Sequence, residues 1–243
     1  MKRREIVASA ASAARPMPAT SLIRRSDTHR LIHSKYRDDG SSVLASIADN
    51  DAHLADIFAL DNASNDRLLA ENDTLPGIGV RELVFGVPHQ RIVNAAFTHP
   101  HPLGSRFNDP GRGAWYAAFE IRTAQAEIAF HKTVQLAEVG RFEDEVTFDD
   151  YLADFSGEFH DLRGTNDRAG CLAPDSYVQS QALAERLLAG GSLGIVYPSV
   201  RREGGTCLAC FRPALVTNVR RARTYRFRWS GQPVPTIAVA QPA

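Results

Sequence analysis

The chain has 243 residues, of which 44% are hydrophobic and 23% are charged, as is usual for a soluble globular protein. Its formal net charge is +0, so no overall field attracts the molecule to nucleic acid or to an anionic membrane. No apolar run approaches the ~20 residues that a membrane-spanning helix needs. These observations argue against direct nucleic-acid binding and against a membrane protein.

The cysteines indicate a reducing compartment. Their number is odd and low, with Cys171, Cys207 and Cys210, which fits the cytoplasm better than a disulfide framework. Cys207 and Cys210 form a lone C-x-x-C pair, which cannot supply the four ligands of a closed zinc site. Because a strand is predicted there, positions three apart should point to opposite faces. We therefore expect no metal site.

The chain is predicted to contain a tail and one domain. Residues 1–25 carry little apolar pattern, which is typical of a disordered tail. A weak export signal is the less favoured alternative, because its apolar stretch is short and contains serine. The domain is expected to span 26–243, with a helical insertion at about 46–90.

Apolar spacing and turn residues place the individual elements. Thr123 is the expected N-cap of one helix, and Asp175 caps another that the glycines at 190 and 191 end. The expected strands are 30–34, 115–119, 151–155, 158–162, 194–197, 207–211 and 225–229, the expected helices are 46–60, 62–72, 123–139 and 176–188, and 74–89 is expected to be a loop. Strands and helices alternate irregularly, which predicts a single α+β domain with a mixed, twisted β core and flanking helices.

Four polar motifs lie around the short apolar strand at 115–119. They are Ser105-Arg106-Phe107, Trp115-Tyr116-Ala117-Ala118, Thr123-Ala124-Gln125-Ala126-Glu127 and, far downstream, Tyr177-Val178-Gln179-Ser180-Gln181. Together with 194–201, 204–205 and 211–213, they closely resemble the RES-domain family, which is named for an arginine, a glutamate and a serine. Those residues would be Arg106, Glu127 and Ser180 here. The resemblance runs from about Arg30 to Trp229.

The resemblance implies a core similar to that of the ADP-ribosyltransferases and a bacterial toxin that breaks down NAD⁺ with release of nicotinamide. NAD⁺ is then a substrate and not a cofactor. Inorganic phosphate as the nucleophile would give ADP-ribose 1″-phosphate, which is the favoured expectation. Water would make the protein an NAD⁺ glycohydrolase, and a protein side chain would make it an ADP-ribosyltransferase. A non-catalytic binding module on the same fold is the alternative from another class.

The proposed reaction needs three kinds of group. Its transition state is oxocarbenium-like, and a carboxylate beside the ribose stabilises that positive charge; Glu127 is the candidate. Arginines clamp phosphates, and Arg106 is the first candidate. An aromatic ring stacks on nicotinamide, for which Tyr116 is the candidate. The resemblance also assigns Ser180 to the pocket, where it would position substrate or phosphate.

Three further residues are expected to bind NAD⁺ or phosphate: Arg30 in the first strand, and Ser199 with Arg201 at a strand end. Without the resemblance, spacing alone favours blander roles. Glu127 would be a solvated helix carboxylate, Tyr116 a core aromatic residue and Ser180 a helix serine bonded one turn back.

The resemblance also implies partners. The usual partner is a helical, Xre-like antitoxin protein, so we expect a homo-oligomer or a toxin–antitoxin hetero-oligomer in the bacterial cytoplasm. The sequence decides neither the nucleophile, nor the antitoxin's identity, nor the oligomeric state. It also leaves open the roles of the tail and of the insertion at 46–90.

Overall fold

The structure is a computed structural model that describes residues 17–37, 77–164 and 170–240. Seven strands and three helices form one mixed α+β domain in these ranges, which confirms the predicted class. The strands are β1 Thr20–His33, β2 Trp115–Ala118, β3 Glu143–Asp161, β4 Gly194–Pro198, β5 Thr206–Cys210, β6 Thr217–Ser230 and β7 Thr236–Val239. The helices are α1 Gln90–Thr98, α2 Ile121–Val139 and α3 Val178–Ala189.

The sheet closes on itself through its longest strands. Its order is β1-β2-β5-β4-β3-β6-β7, and β1 also pairs with β3, so five strands form a closed ring of pairings from which β6 and β7 extend. The pairs are antiparallel except for β3 with β4, which meet in parallel at His160 and Asp161. This single parallel contact makes the sheet mixed, as the sequence predicts.

Alternation along β2 divides the core between two faces of the sheet. Tyr116 and Ala118 pack with the core cluster that contains buried residues of α2 and α3, and we call this side the Tyr116 face. Trp115 and Ala117 pack with the cluster that contains buried residues of α1, and we call that side the Trp115 face. The two faces matter for the site, because Tyr116 and Trp115, adjacent in sequence, lie on opposite sides of the sheet.

Two neighbouring pairs of residues show how far the alternation extends. Cys207 packs on the Tyr116 face and Cys210 on the Trp115 face, as the three-residue spacing predicts. Both thiols are free and buried. On β1, Leu31 belongs to the Tyr116 face and Ile32 packs against the Trp115 face. By parity, Arg30 starts on the same side as Ile32.

The strands differ from the prediction mainly in length. β1 begins at Thr20, inside the range expected to be a tail, because its first residues pair with the end of β3. The strands expected at 151–155 and 158–162 are parts of the single strand β3. Gly157, between them, stays paired with Ile23 of β1 and does not interrupt the strand. β6 is longer than predicted, and β7 was not predicted.

The helix starts also differ. α2 begins at Ile121, with Glu120 as its N-cap residue, so the prediction that Thr123 caps it is wrong. Thr123 is fully buried instead, and its hydroxyl donates to the Glu120 carboxylate at 2.7 Å. α3 begins at Val178 after Tyr177, so Asp175 does not cap it.

The end of α3 at Gly190 is as predicted. α1 was not predicted, because it is short and follows a segment rich in glycine and proline. The helices expected at 46–60 and 62–72 lie outside the described residues. Of the loop expected at 74–89, residues 77–89 are described, and they are irregular except for one 3₁₀ turn at Val80–Glu82.

Candidate functional site

The loop that carries Arg106 is fixed at both ends. Gly104 has φ of +69°, and a Cβ there would lie 2.3 Å from the carbonyl oxygen of Asn108, so no other residue fits without a shift. Ser105 and Asn108 pair as an isolated β-bridge. From α3, the Gln181 amide donates to the carbonyl of Ser105 at 3.0 Å. These contacts set the direction in which Arg106 leaves the loop.

The guanidinium of Arg106 is buried, with 6% of the residue exposed. Its Nη1 donates to the carbonyl oxygens of Cys171 (3.1 Å) and Ala173 (2.9 Å). Its Cζ lies 4.8 Å from the centroid of the Tyr177 ring, a cation–π arrangement. Within the described ranges, Nε and Nη2 contact no protein acceptor. Arg106 therefore orders the segment before α3 and keeps donors for a further acceptor.

Tyr116 is bonded to the same loop through its hydroxyl. The hydroxyl accepts the N–H of Phe107 at 2.9 Å and donates to Asn108 Oδ1 at 2.8 Å. Burial raises the pKa of Tyr116 far above its ordinary value, so the phenol stays protonated and keeps both bonds. The ring and the loop thus form one unit on the Tyr116 face.

Glu127 projects from the first half of α2, and two donors fix one of its oxygens. The Ser199 hydroxyl donates to Oε1 at 2.6 Å, and the Cys207 thiol lies 3.7 Å from the same oxygen. Burial raises the pKa of Cys207, and the charge of Glu127 raises it further, so the thiol stays protonated. Among the described residues, no protein donor contacts Oε2. The second oxygen is therefore available to a ligand.

Ser199 has no spare capacity for a phosphate. Its oxygen accepts the backbone N–H groups of Arg201 and Arg202, both at 3.1 Å, and its own proton goes to Glu127. A hydroxyl has one donor and two acceptor positions, and all three are used. The structure therefore makes Ser199 a support for Glu127.

Arg201 lies over the ring of Phe130, with its Cζ 3.3 Å from the centroid. Its Nη2 donates to the carbonyl of Pro174 at 2.5 Å, in the same segment that Arg106 holds. Its Nε is buried and has no partner among the described residues. Two arginines from two different loops thus bind the carbonyls of one segment, residues 171–174, which precedes α3.

The charges of these residues act on shared neighbours, which places them in one cluster. Desolvation lowers the pKa of His131; Glu127 opposes this, and Arg201 and Arg106 lower the pKa further. His131 is therefore neutral near pH 7. Burial raises the pKa of Tyr197 well above its ordinary range, with a contribution from Glu127. We call this set on the Tyr116 face the Glu127 cluster; its members are Arg106, Tyr116, Glu127, His131, Tyr177, Tyr197, Ser199 and Arg201.

Two residues expected in the site are placed differently. Ser180 is fully buried, and its hydroxyl donates to the carbonyl of Tyr177 at 3.0 Å, one turn back. The serine in contact with Glu127 is Ser199, not Ser180. Arg30 stacks over Trp115 at 4.8 Å and donates to the backbone carbonyl of Tyr116 at 3.1 Å. Its guanidinium therefore lies on the Trp115 face, away from the carboxylate.

The structure adds contacts that the sequence analysis did not select. Asn108 bonds Tyr116, Tyr177 stacks on Arg106, Phe130 stacks on Arg201, and Cys207 contacts Glu127. Tyr177 is the first residue of one motif and Asn108 directly follows another, so position in sequence was an available signal. Phe130 and Cys207 gave none, because their contacts depend on how α2 and β5 pack.

Two cavities have linings that contain no member of the Glu127 cluster. One of about 290 Å³ is lined by residues that include Asn108, Gln181 and Phe211. An open groove of about 540 Å³ lies near Glu143 and Trp229. In the described ranges, no group of three His, Cys, Asp or Glu residues could hold a metal ion. None of the three described helices combines the length and apolarity required to cross a membrane.

Comparisons with known proteins identify the family to which the chain belongs. A search of curated proteins finds no match. A chain in the crystal structure of the M. tuberculosis MbcT–MbcA toxin–antitoxin complex is similar at 14% identity and a TM-score of 0.43, over 84% of this chain and 85% of that one. A likeness of that size supports no inference about this chain. The RES domain, by contrast, matches residues 83–230, which is more than half of the sequence and includes all of the Glu127 cluster. The chain belongs to the RES-domain family.

Proposed function

We propose that this protein is the toxin of a bacterial toxin–antitoxin system and that it cleaves NAD⁺ at the nicotinamide N-glycosidic bond. Phosphorolysis, which yields nicotinamide and ADP-ribose 1″-phosphate, is the reaction we favour. The chain belongs to the RES-domain family. Toxins of this family generally process NAD⁺, so family membership supports both the toxin role and NAD⁺ as the substrate. The chemistry of the Glu127 cluster supports the choice of bond.

The observation that carries the proposal is that only one oxygen of the Glu127 carboxylate contacts protein donors among the described residues. Ser199 and Cys207 hold Oε1, and Oε2 has no protein donor among the described residues. A carboxylate fixed in this way needs little reorganisation when positive charge develops at the ribose carbon. It would also accept a hydrogen bond from a ribose hydroxyl, which strengthens as the oxocarbenium ion forms.

The reaction balances without a metal or a redox partner. The bond between C1″ of the ribose and the pyridinium nitrogen breaks, and its electron pair stays on nicotinamide, which leaves as a neutral molecule. An oxygen of inorganic phosphate then forms the new bond to C1″. Glu127 stabilises the positive charge between these two events and forms no covalent bond in this scheme.

The arginines would position the anions. Arg106 retains Nε and Nη2, and Arg201 retains a buried Nε without a partner in the described ranges. Guanidinium groups bind phosphate oxygens through pairs of parallel hydrogen bonds. We assign the pyrophosphate of NAD⁺ or the incoming phosphate to these donors. Tyr116 and Tyr177 supply aromatic surface beside them.

Hydrolysis is the second candidate, and one observation favours it. Nη1 of Arg106 and Nη2 of Arg201 already donate to backbone carbonyls of residues 171–174. If those bonds persist with NAD⁺ bound, fewer donors remain for a second anion. Water as the nucleophile needs no such donors and would give free ADP-ribose.

The proposed partner is a helical antitoxin of the Xre type that covers the Glu127 cluster, and the proposed location is the bacterial cytoplasm. Both follow from what is known of RES-domain toxins. Pull-down of the full chain with the product of the adjacent gene would test the partner. Loss of binding on a charge reversal at the cluster would support it, and unchanged binding would contradict it.

Product analysis by mass spectrometry tests the reaction. Purified protein is incubated with NAD⁺ in buffers with and without phosphate. Phosphate-dependent ADP-ribose 1″-phosphate supports phosphorolysis, and ADP-ribose formed equally in both buffers supports hydrolysis. A mass increase of the protein itself would indicate ADP-ribosyl transfer.

Intact NAD⁺ under every condition would contradict the enzyme and favour the non-catalytic module. Expression in a bacterium gives an independent measure. The active protein should arrest growth and lower cellular NAD⁺, whereas Glu127→Gln should do neither. Equal harmlessness of both proteins would contradict the toxin assignment.

A further inference from the structure

Among the described residues, the sheet ends in a strand with one unpaired edge. β7 pairs only with β6 among the described residues and is the last strand in the sheet order. All four of its residues, Thr236–Val239, are exposed. Its apolar side chains include Ile237 (36% exposed) and Val239 (52%). Such an edge presents unpaired backbone groups to any strand that approaches it.

The register shows which backbone groups are free. The N–H of Ala240 donates to the carbonyl of Thr224 on β6 at 2.8 Å. In an antiparallel pair, hydrogen-bonded positions alternate with positions whose backbone groups point away. Ile237 lies opposite Phe227 and Val239 opposite Tyr225, one residue out of phase with that bond. The N–H and C=O groups of Ile237 and Val239 therefore point to the open side.

The charge pattern of the β7 edge differs from that of the part of β6 that β7 does not cover. The part of β6 that β7 does not cover carries Arg220, Arg221 and Arg223, and charged side chains of this kind are how proteins discourage edge pairing. In contrast, no charged residue occurs from Gly231 to Ala243. Two copies of a charged edge repel each other, whereas two copies of this neutral edge do not.

We propose that β7 pairs antiparallel with β7 of a second copy of this chain, about a two-fold axis at Ala238. Ile237 then faces Val239 of the second copy, and Val239 faces Ile237 of the second copy. The outward N–H and C=O groups of both residues form four hydrogen bonds, so the free groups of the strand are matched by identical groups. A two-fold interface of this kind is self-complementary.

The side chains fit the same arrangement. Ile237 and Val239 lie on one face of the strand, so each would meet an apolar residue of the second copy directly across the interface. Val234, 78% exposed in the segment before the strand, and Val134, 41% exposed on α2, add apolar surface on each copy. Thr133 donates to the carbonyl of Pro233 at 2.8 Å, which holds these two regions together.

A cross-link tests the register directly. Residues facing each other at a non-hydrogen-bonded position have Cα atoms about 4.5 Å apart, within the range that a disulfide bridges. In the proposed dimer, Ala238 and its copy occupy that position on the two-fold axis. Ala238→Cys should therefore give a covalent dimer on mild oxidation, seen on a non-reducing gel.

The matched control is Val178→Cys, at a valine that is 68% exposed at the start of α3. It should stay monomeric on the same gel. The native cysteines do not interfere, because they are 2%, 3% and 0% exposed. Equal cross-linking of both variants, or none of Ala238→Cys, would overturn the proposed register.

Sedimentation of the full chain tests the dimer itself. The wild type should sediment at twice the chain mass of 26.6 kDa. Val239→Pro removes one outward N–H per copy and leaves the bonds to β6 intact, so it should weaken dimerisation about tenfold or more with an unchanged circular dichroism spectrum. Val178→Lys should sediment like the wild type. A monomeric wild type, or a Val239→Pro variant that dimerises as tightly, would contradict the proposal.

Discussion

The two faces of β2 use adjacent residues for different purposes. On the Trp115 face, Trp115 is fully buried among apolar residues, with Arg30 stacked on its ring. On the Tyr116 face, the hydroxyl of the next residue along the strand bonds the Asn108 amide, and Ser199 bonds the Glu127 carboxylate on the same face. The strand is only four residues long, yet it separates a core from a candidate site.

This difference between the two faces explains why Arg30 and Glu127, both candidate site residues, have different surroundings. Arg30 belongs to a strand that borders both faces, and burial lowers its pKa to about 10. Its Nε is buried without a partner in the described ranges. Among the described residues, its side chain makes one hydrogen bond, to the carbonyl of Tyr116, which joins β1 to β2 where a single residue pair is in register. Arg30 therefore has a structural use that does not require NAD⁺.

Trp115→Ala should have the largest effect on stability. It removes a fully buried indole and the ring on which Arg30 stacks, so the free energy of unfolding should fall by about 3–5 kcal/mol. Urea unfolding measures this, with Tyr36→Ala at an exposed ring as the control. A loss below ~1 kcal/mol would show that the Trp115 face is not the main core.

Tyr116→Phe should have a smaller effect that is confined to the other face. It leaves Asn108 Oδ1 and the N–H of Phe107 without their partner, which costs about 1–3 kcal/mol. Because the loop that carries Arg106 then loses an anchor, KM for NAD⁺ should rise. Stability and KM that both match the wild type would contradict the coupling between ring and loop.

Ser199→Ala should lower kcat about tenfold, which corresponds to ~1.4 kcal/mol of transition-state stabilisation. The hydroxyl donates to Oε1 of Glu127 at 2.6 Å and so helps to fix the carboxylate. KM should change little, because Ser199 has no donor left for the substrate. Ser199→Thr keeps a hydroxyl and should restore most of the activity. A rise in KM with kcat unchanged would instead make Ser199 a substrate contact.

Glu82→Gln should give the smallest effect, and it depends on pH. Hydrogen bonds from Arg112 lower the pKa of Glu82 below its ordinary 4.5. Its contribution to stability is therefore complete above pH 4.5 and is lost as pH falls through the lowered value. Since a third of the side chain is exposed, we expect under ~1 kcal/mol.

The measurement for Glu82 is urea unfolding as a function of pH. Wild type and Glu82→Gln should differ fully above pH 4.5 and converge as pH falls below the lowered pKa of Glu82. Glu203→Gln, at an exposed carboxylate, should differ from the wild type at neither end of the range. A difference that grows on acidification would contradict the sign.

The fold could be predicted where one physical signal dominated. Continuous apolar runs predicted β2, β4 and β5 within one or two residues. The two cysteines of the C-x-x-C pair lie on opposite faces because side chains alternate along a strand. The prediction failed where local residue preferences compete with tertiary contacts. Gly157 predicts a break, but pairing with β1 on one side keeps β3 continuous. Thr123 and Asp175 are good caps by type, yet Thr123 is buried and bonds Glu120 within the helix, and α3 begins only after Tyr177.

For the candidate site, the motifs identified the strand, the helix and the loop that meet. They did not predict which serine touches Glu127. Ser180 and Ser199 are both serines near aromatic residues in sequence, and only the packing of β4 against α2 separates them. The stacking of Tyr177 and Phe130 on arginines likewise depends on tertiary structure. The catalytic roles of these residues stay predictions.

Glu127 is central to the proposed chemistry, and a comparison of two glutamates of α2 tests its role most directly. Glu127→Gln removes the carboxylate that faces the cluster, while Glu138→Gln makes the same change at an exposed position near the end of the helix. The rate of nicotinamide release from NAD⁺ should fall about 100-fold or more in Glu127→Gln and stay at the wild-type level in Glu138→Gln. An active wild type with both variants equally active would contradict the claim that the chemistry lies at Glu127.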